Sequence, residues 1–172
     1  MALFILSVVG SDRPGLTQAL AAAVLSAGGN WLESHLSRLG GLYVGSVLVD
    51  LDADGVDGLR AAARTVDAHG LEVRIVPAQE APGPADGGLQ FGLVGQDRPG
   101  IVNQVTAVLS GLDANIESFR TWITSEPHSG GPLFNMEARL SLPAGLAVGD
   151  VQAALEDISA EIMVDMSLGP AS

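Results

Sequence analysis

Apolar and polar positions recur along the chain in an order that predicts strand, helix, strand, strand, helix, strand. Leu3–Val9 is an apolar run of strand length, and Pro14 is placed to open a helix reaching about Ala27. Trp31–Leu39 and Tyr43–Leu51 read as strands joined at Gly40-Gly41, a hairpin turn signal. Val56, Leu59, Ala63 and Val66 keep the spacing of one helical face, which predicts a helix over about Val56–Ala68. Leu71–Val76 then alternates apolar with charged residues as a last strand. The second half repeats the scheme. Phe134, Met136, Ala138, Leu140 and Leu142 alternate with Asn135, Glu137, Arg139 and Ser141, the pattern of a strand with one buried face. Val148, Val151, Leu155 and Ile158 mark a helical face, and a final strand is expected at about Ile162–Leu168.

The repetition extends to residue identity. Val9-Gly10-Ser11-Asp12-Arg13-Pro14-Gly15-Leu16 returns 85 residues later as Val94-Gly95-Gln96-Asp97-Arg98-Pro99-Gly100-Ile101. The same offset carries Leu20, Val24 and Asn30 onto Val105, Leu109 and Asn115, and chance similarity would not hold that register. For the second helix the offset is 92, which assigns the seven extra residues to a polar loop within Thr124–Pro132. Between the copies, Pro77–Gly88 holds three prolines and three glycines and reads as a linker. The expected fold is therefore α+β: two ferredoxin-like βαββαβ units, residues 1–76 and 89–172, flanking a linker over 77–88. Each unit is a four-stranded antiparallel sheet with two helices on one face. Units this small gain stability by packing against each other or across a homodimer, so a homo-oligomer is expected.

Composition narrows the functions open to such a fold. The 172 residues carry 20 acidic and 8 basic side chains, a formal charge of −12, with no basic run. Binding to nucleic acid depends on neutralising phosphates, so direct contact with DNA or RNA is not expected. The absence of cysteine excludes disulfides, thiolate catalysis and cysteine-ligated zinc. The apolar run at Ala2–Val9 is short for a signal and lacks a basic flank, and no stretch of about 20 apolar residues is present. These features point to a cytoplasmic protein without a membrane segment. His35, His69 and His128 show no metal-ligand spacing, and only His128, in the longer loop, stands as a marginal site candidate. There is no nucleophile elbow, P-loop or His-Glu-x-x-His, so neither catalysis, nor a metal, nor a cofactor is expected.

The repeated Asp-Arg-Pro-Gly loop is the candidate site. Gly15 and Gly100 leave the backbone open to approach, and free N–H groups at a helix start can receive an anion such as an amino-acid carboxylate. Asn30 and Asn115 supply donors and acceptors for the rest of such a ligand. The alternative is a plain strand-to-helix turn in which Asp12 and Asp97 cap the helices. Trp31 and Trp122 admit two readings as well, anchors for a partner or half-buried sheet residues.

The loop, the helix after it and the Asn opening the second strand resemble the ACT domain, once in each half of the chain. That resemblance implies a regulatory module binding amino acids at interfaces between domains. Its candidate site residues are Gly10, Asp12, Gly15, Leu16 and Asn30, with Gly95, Asp97, Gly100, Ile101 and Asn115 as their counterparts. Leu32 against Glu117, Ser34 against Phe119 and His35 against Arg120 imply that the two copies are chemically unequal. A tandem of this length with nothing left over resembles the glycine cleavage system transcriptional repressor family. The resemblance implies regulation of glycine cleavage through a protein partner, such as a DNA-binding activator, with glycine as effector. An allosteric subunit of an amino-acid enzyme and a ligand-free dimerisation module are the alternatives.

Overall fold

The computed structural model describes residues 2–68, 70–79, 88–126, 130–162 and 164–170. The chain divides into two compact units, Met1–Ala81 and Pro82–Ser172. In the first, the elements are β1 (Ala2–Ser11), α1 (Leu16–Ser26), β2 (Asn30–Leu39), β3 (Leu42–Leu51), α2 (Val56–Asp67) and β4 (Leu71–Pro77). A single 3-10 turn, Ala53–Gly55, leads into α2. The second unit follows with β5 (Leu89–Gln96), α3 (Ile101–Gly111), β6 (Asn115–Ser125), β7 (Pro132–Ser141), α4 (Val148–Ile162) and β8 (Val164–Pro170). Each unit is a four-stranded antiparallel sheet, in the orders β2-β3-β1-β4 and β6-β7-β5-β8, with its helices on one face. This is the ferredoxin-like βαββαβ arrangement the alternation predicts.

The apolar stripes explain the assembly of each unit. Leu6 and Val8 of β1, Val47 and Val49 of β3, Leu20 and Val24 of α1, and Leu59 and Val66 of α2 bury together. Phe91, Met136, Leu140, Val105, Leu109, Val151 and Leu155 do the same in the second unit. Among the described residues no polar or charged residue is buried, so each core is held by apolar burial alone. At about 1.5–3 kcal/mol per fully buried large aliphatic side chain, these clusters supply the main force holding helices to sheet.

The copies differ in side chains yet conserve volume locally. Leu6 lies opposite Val47 in the first unit, and the equivalent Phe91 lies opposite Ala138 in the second. A larger residue on one strand is matched by a smaller one on its neighbour, as close packing requires. Both sheets also carry an irregularity at one place, between Trp31 and Glu33 and between Ile116 and Ser118. The residues bulged out there are Leu32 and Glu117. Leu32 is exposed, whereas Glu117 makes a 3.0 Å ion pair with Arg139 on β7.

Three boundaries differ from expectation. Helix α1 begins at Leu16, not Pro14, because Gly15 takes a left-handed conformation that interrupts the helix just after the proline. Helix α4 runs to Ile162, where a strand was expected to begin, since Ile162 continues the helical spacing of Val151, Leu155 and Ile158. The last strand accordingly starts at Val164. No helix among the described residues is long and apolar enough to cross a membrane.

Candidate functional site

Both repeated loops adopt one backbone shape. Gly15 has φ 91° and ψ −4°, and Gly100 has φ 98° and ψ −10°. These are the angles of the third residue of a type II turn, which favours proline just before and glycine at that place. Pro14-Gly15 and Pro99-Gly100 satisfy both demands, so the motif encodes the turn directly. The glycine then becomes the N-terminal boundary of the helix, and its carbonyl accepts from the N–H of Ala19 or Gln104 at 2.9 Å.

The start of each helix is chemically open. Neither α1 nor α3 has a side-chain cap, and neither carries an acidic residue in its first turn. First-turn N–H groups have no intrahelical acceptor, and the helix dipole adds positive potential there. The capping alternative for Asp12 is therefore not what the structure shows. Asp12 instead pairs with Arg38 Nε on β2 at 3.2 Å. Asp97 forms no side-chain cap either, and its backbone N–H donates to the Pro132 carbonyl at 3.1 Å.

Several of the candidate residues gather at this loop, each in a distinct capacity. Leu16 and Ile101 are buried, so their side chains belong to the core and only their backbone can face a ligand. Gly10 is required by packing: a Cβ there would stand 2.1 Å from the Gly70 carbonyl oxygen of the strand-leading turn. Gly95 occupies the equivalent strand position, paired with Val164. Asn30 and Asn115 lie elsewhere. Ser11 pairs with Leu42 at one end of β3, whereas Asn30 pairs with Asp50 at the other. At about 3.3 Å per residue, that places Asn30 roughly 25 Å along the sheet from the loop of its own unit. Asn115 is likewise paired with Ser141, remote from the Gln96–Leu133 end, and its side-chain amide donates to Ser141 Oγ at 3.5 Å.

The structure adds residues the sequence reading missed. In the first unit the rim of the loop carries Arg38, bound to Asp12, together with Thr17 and Tyr43, whose hydroxyls meet at 2.6 Å. Their counterparts in the second unit are Ile123, Val102 and Phe134, so the same rim is apolar there. Val102 and Ile123 are exposed. The signal that could have found them is register, because the hairpin end of β2 and β3 must lie beside the end of β1. On β6, Arg120 stacks over Trp122 at 4.9 Å, and Trp31 packs against the first core. His35 is exposed with its Nε2 3.0 Å from Glu33, while His69 and His128 lie outside the described residues. Among the described residues no group of acidic and histidine side chains could hold a metal ion.

Residues 2–76 match the family model of the ACT domain. With the same element order and the same loop in its second half, the chain is a tandem ACT-domain protein, a regulatory class whose members bind amino-acid effectors. It is similar to an unknown protein from Galdieria sulphuraria at 30% identity and a TM-score of 0.82, covering 99% of each chain. At 15% identity it shares its fold, with a TM-score of 0.74, with a protein provisionally assigned as a glycine cleavage system transcriptional repressor. That match covers 99% of this chain and 98% of the other. No curated protein matches the sequence.

Proposed function

We propose that this protein is a non-catalytic regulator that senses a free amino acid and passes the signal to a protein partner. The observation that carries this reading is the twice-built turn, each copy of which presents an uncapped helix start with no acidic residue in its first turn. The amino-acid carboxylate would take the first-turn N–H groups of α1, and its ammonium would lie toward Asp12 beside Arg38. The polar rim of Thr17, Arg38 and Tyr43 favours the first unit for this role. A ligand that also used Asn30 would have to take it from a second unit, as in a paired copy of the chain, because Asn30 is remote from Gly15 in its own unit. Binding that favours one arrangement of units changes affinity for a partner by linkage. The likeness to the repressor makes glycine the first ligand to try, and control of glycine cleavage through a DNA-binding activator the first regulatory role. The net charge of −12 fits action through a protein and not on DNA.

The test is thermal unfolding against a panel of free amino acids. A ligand at about a hundred times its Kd stabilises by about 2.7 kcal/mol. A selective rise in Tm that is lost in Gly15→Ala, measured against that variant's own baseline, supports the sensor and names its effector. No rise with any amino acid rules the mechanism out.

A further inference from the structure

Helix α2 and the edge strand β4 enclose an open cavity of about 260 Å3 in the first unit. Arg60, Arg64 and Asp67 line it on the helix side, over a floor that includes Val73 and Ile75; Arg74 between these two borders it at the strand edge and sends its side chain to the other face of the sheet. Two of the eight basic side chains of a strongly acidic chain, Arg60 and Arg64, therefore stand over one cavity. Arg60 and Arg64 are one helical turn apart, a spacing at which like charges oppose helix formation. Local partners do not account for the cluster. Arg60 lies 3.4 Å from Asp57, but both side chains are largely exposed, 58% and 94%. Arg64 is favourably placed in the last turn of α2, an explanation that covers Arg64 alone.

The repeat provides an internal control. The equivalent cavity of the second unit, between α4 and β8, is lined by Gln152, Glu156 and Ser167 where the first has Arg60, Arg64 and Arg74. Its volume is only about 40 Å3, and Leu155 lines it where the first unit has the smaller Ala63. The fold thus needs neither the arginines nor the space. In the first unit both occur together.

We propose that this cavity binds a small phosphate monoester. Guanidinium groups bind phosphate in a forked geometry, and a dianion matches the pair Arg60 and Arg64 better than a single carboxylate does. The volume lies below the roughly 300–1,000 Å3 of drug-sized sites, which suits a compact ligand. Asp67 opposes a second phosphate and offers an acceptor to a hydroxyl or ammonium on the same molecule. The cavity shares no residue with the Gly15 loop, so this site and the amino-acid site stand or fall separately.

The experiment is a titration of the full-length, isotopically labelled chain, followed by NMR of the arginine side-chain and α2–β4 amide signals. Glycerol 3-phosphate, inorganic phosphate and glycerol serve as probes at one ionic strength. Saturable shifts of Arg60 and Arg64 signals are expected with glycerol 3-phosphate, weaker binding with inorganic phosphate and none with glycerol. The variant R60Q/R64E, which carries the second unit's helix residues, should lose at least about tenfold in affinity, as expected when charge-assisted hydrogen bonds are removed. Arg64→Gln alone, should the double variant not fold, should show a smaller loss in the same direction. Absence of saturable shifts, or equal binding by the variants, overturns the site. Inorganic phosphate binding as tightly as the monoester would assign the cavity to free phosphate. Displacement of the monoester by an equimolar glutamate-rich peptide would assign it to an acidic protein segment. Either result overturns the monoester assignment.

Discussion

At the residue scale, two glycines of one motif are required for different reasons. At Gly10 the obstacle is a neighbour, since a Cβ would fall 2.1 Å from the Gly70 carbonyl oxygen and 2.7 Å from Leu71 Cα. Gly10→Ala should therefore push β4 from β1 and lower stability by about 2–3 kcal/mol in chemical denaturation, the scale of overpacking. At Gly15 there is space, with nothing within 4 Å of the Cβ position, and the obstacle is the backbone angle itself. Gly15→Ala should cost about 1–2 kcal/mol by the same measurement, the penalty for a left-handed L-residue. The sequence shows both glycines as repeated letters and cannot separate the causes, because one depends on a turn more than fifty residues away. Asp12 makes the complementary case. Its pair with Arg38 is partly exposed, so Asp12→Ala should change stability by under about 1 kcal/mol. It should nonetheless remove the amino-acid-dependent rise in Tm if the ammonium lies there.

At the element scale, strands and helices were legible because each apolar stripe has one period and one face to cover. The helix start was not. Pro at a first helical position and Pro inside a type II turn are both common, so the proline alone points either way, and it is the glycine after it, at a left-handed angle, that moves the helix start to the next residue. Gathering of the site was legible in part. The loop residues are contiguous, so they were found, but Arg38 and Tyr43 join them only through strand register. Register also links the compensating pairs Leu6 with Val47 and Phe91 with Ala138. Phe91→Leu should open space and Ala138→Val should overfill it, each destabilising by about 1–2 kcal/mol. The double variant reproduces the first unit's pair and should recover at least about 1 kcal/mol relative to additivity in a double-mutant cycle. Strict additivity would show that the two positions do not share volume.

At the scale of the whole molecule, the sequence repeat announced two cores, and each unit has one. Leu20→Ala, at a fully buried position of the first core, should cost about 2–5 kcal/mol. Hydrogen exchange should accelerate in β1, β3 and β4 well before it does in β5 and β7. What the repeat concealed is divergence in chemistry on a common frame. One loop rim is polar and its twin apolar, and one α–β edge is basic while its twin carries a carboxylate. Arg60 and Arg64 were visible as helical neighbours in the sequence. The space they overlook forms only because β4 returns alongside α2. Two copies of one frame thus offer four chemically different surfaces.

The Pro-Gly turn has a consequence for time as well as for shape. Its form is held by a proline ring and a left-handed glycine, with open space around the glycine, and does not depend on contacts that a ligand must first break. If an amino acid binds there as proposed, it meets a seat already set, so the binding step itself should rise linearly in rate with concentration, with no slow rearrangement of the loop before it. The lifetime of the complex would then govern how quickly occupancy falls when supply falls. The proposed sensor, built this way, would follow rapid swings in its signal and retain little record of earlier ones.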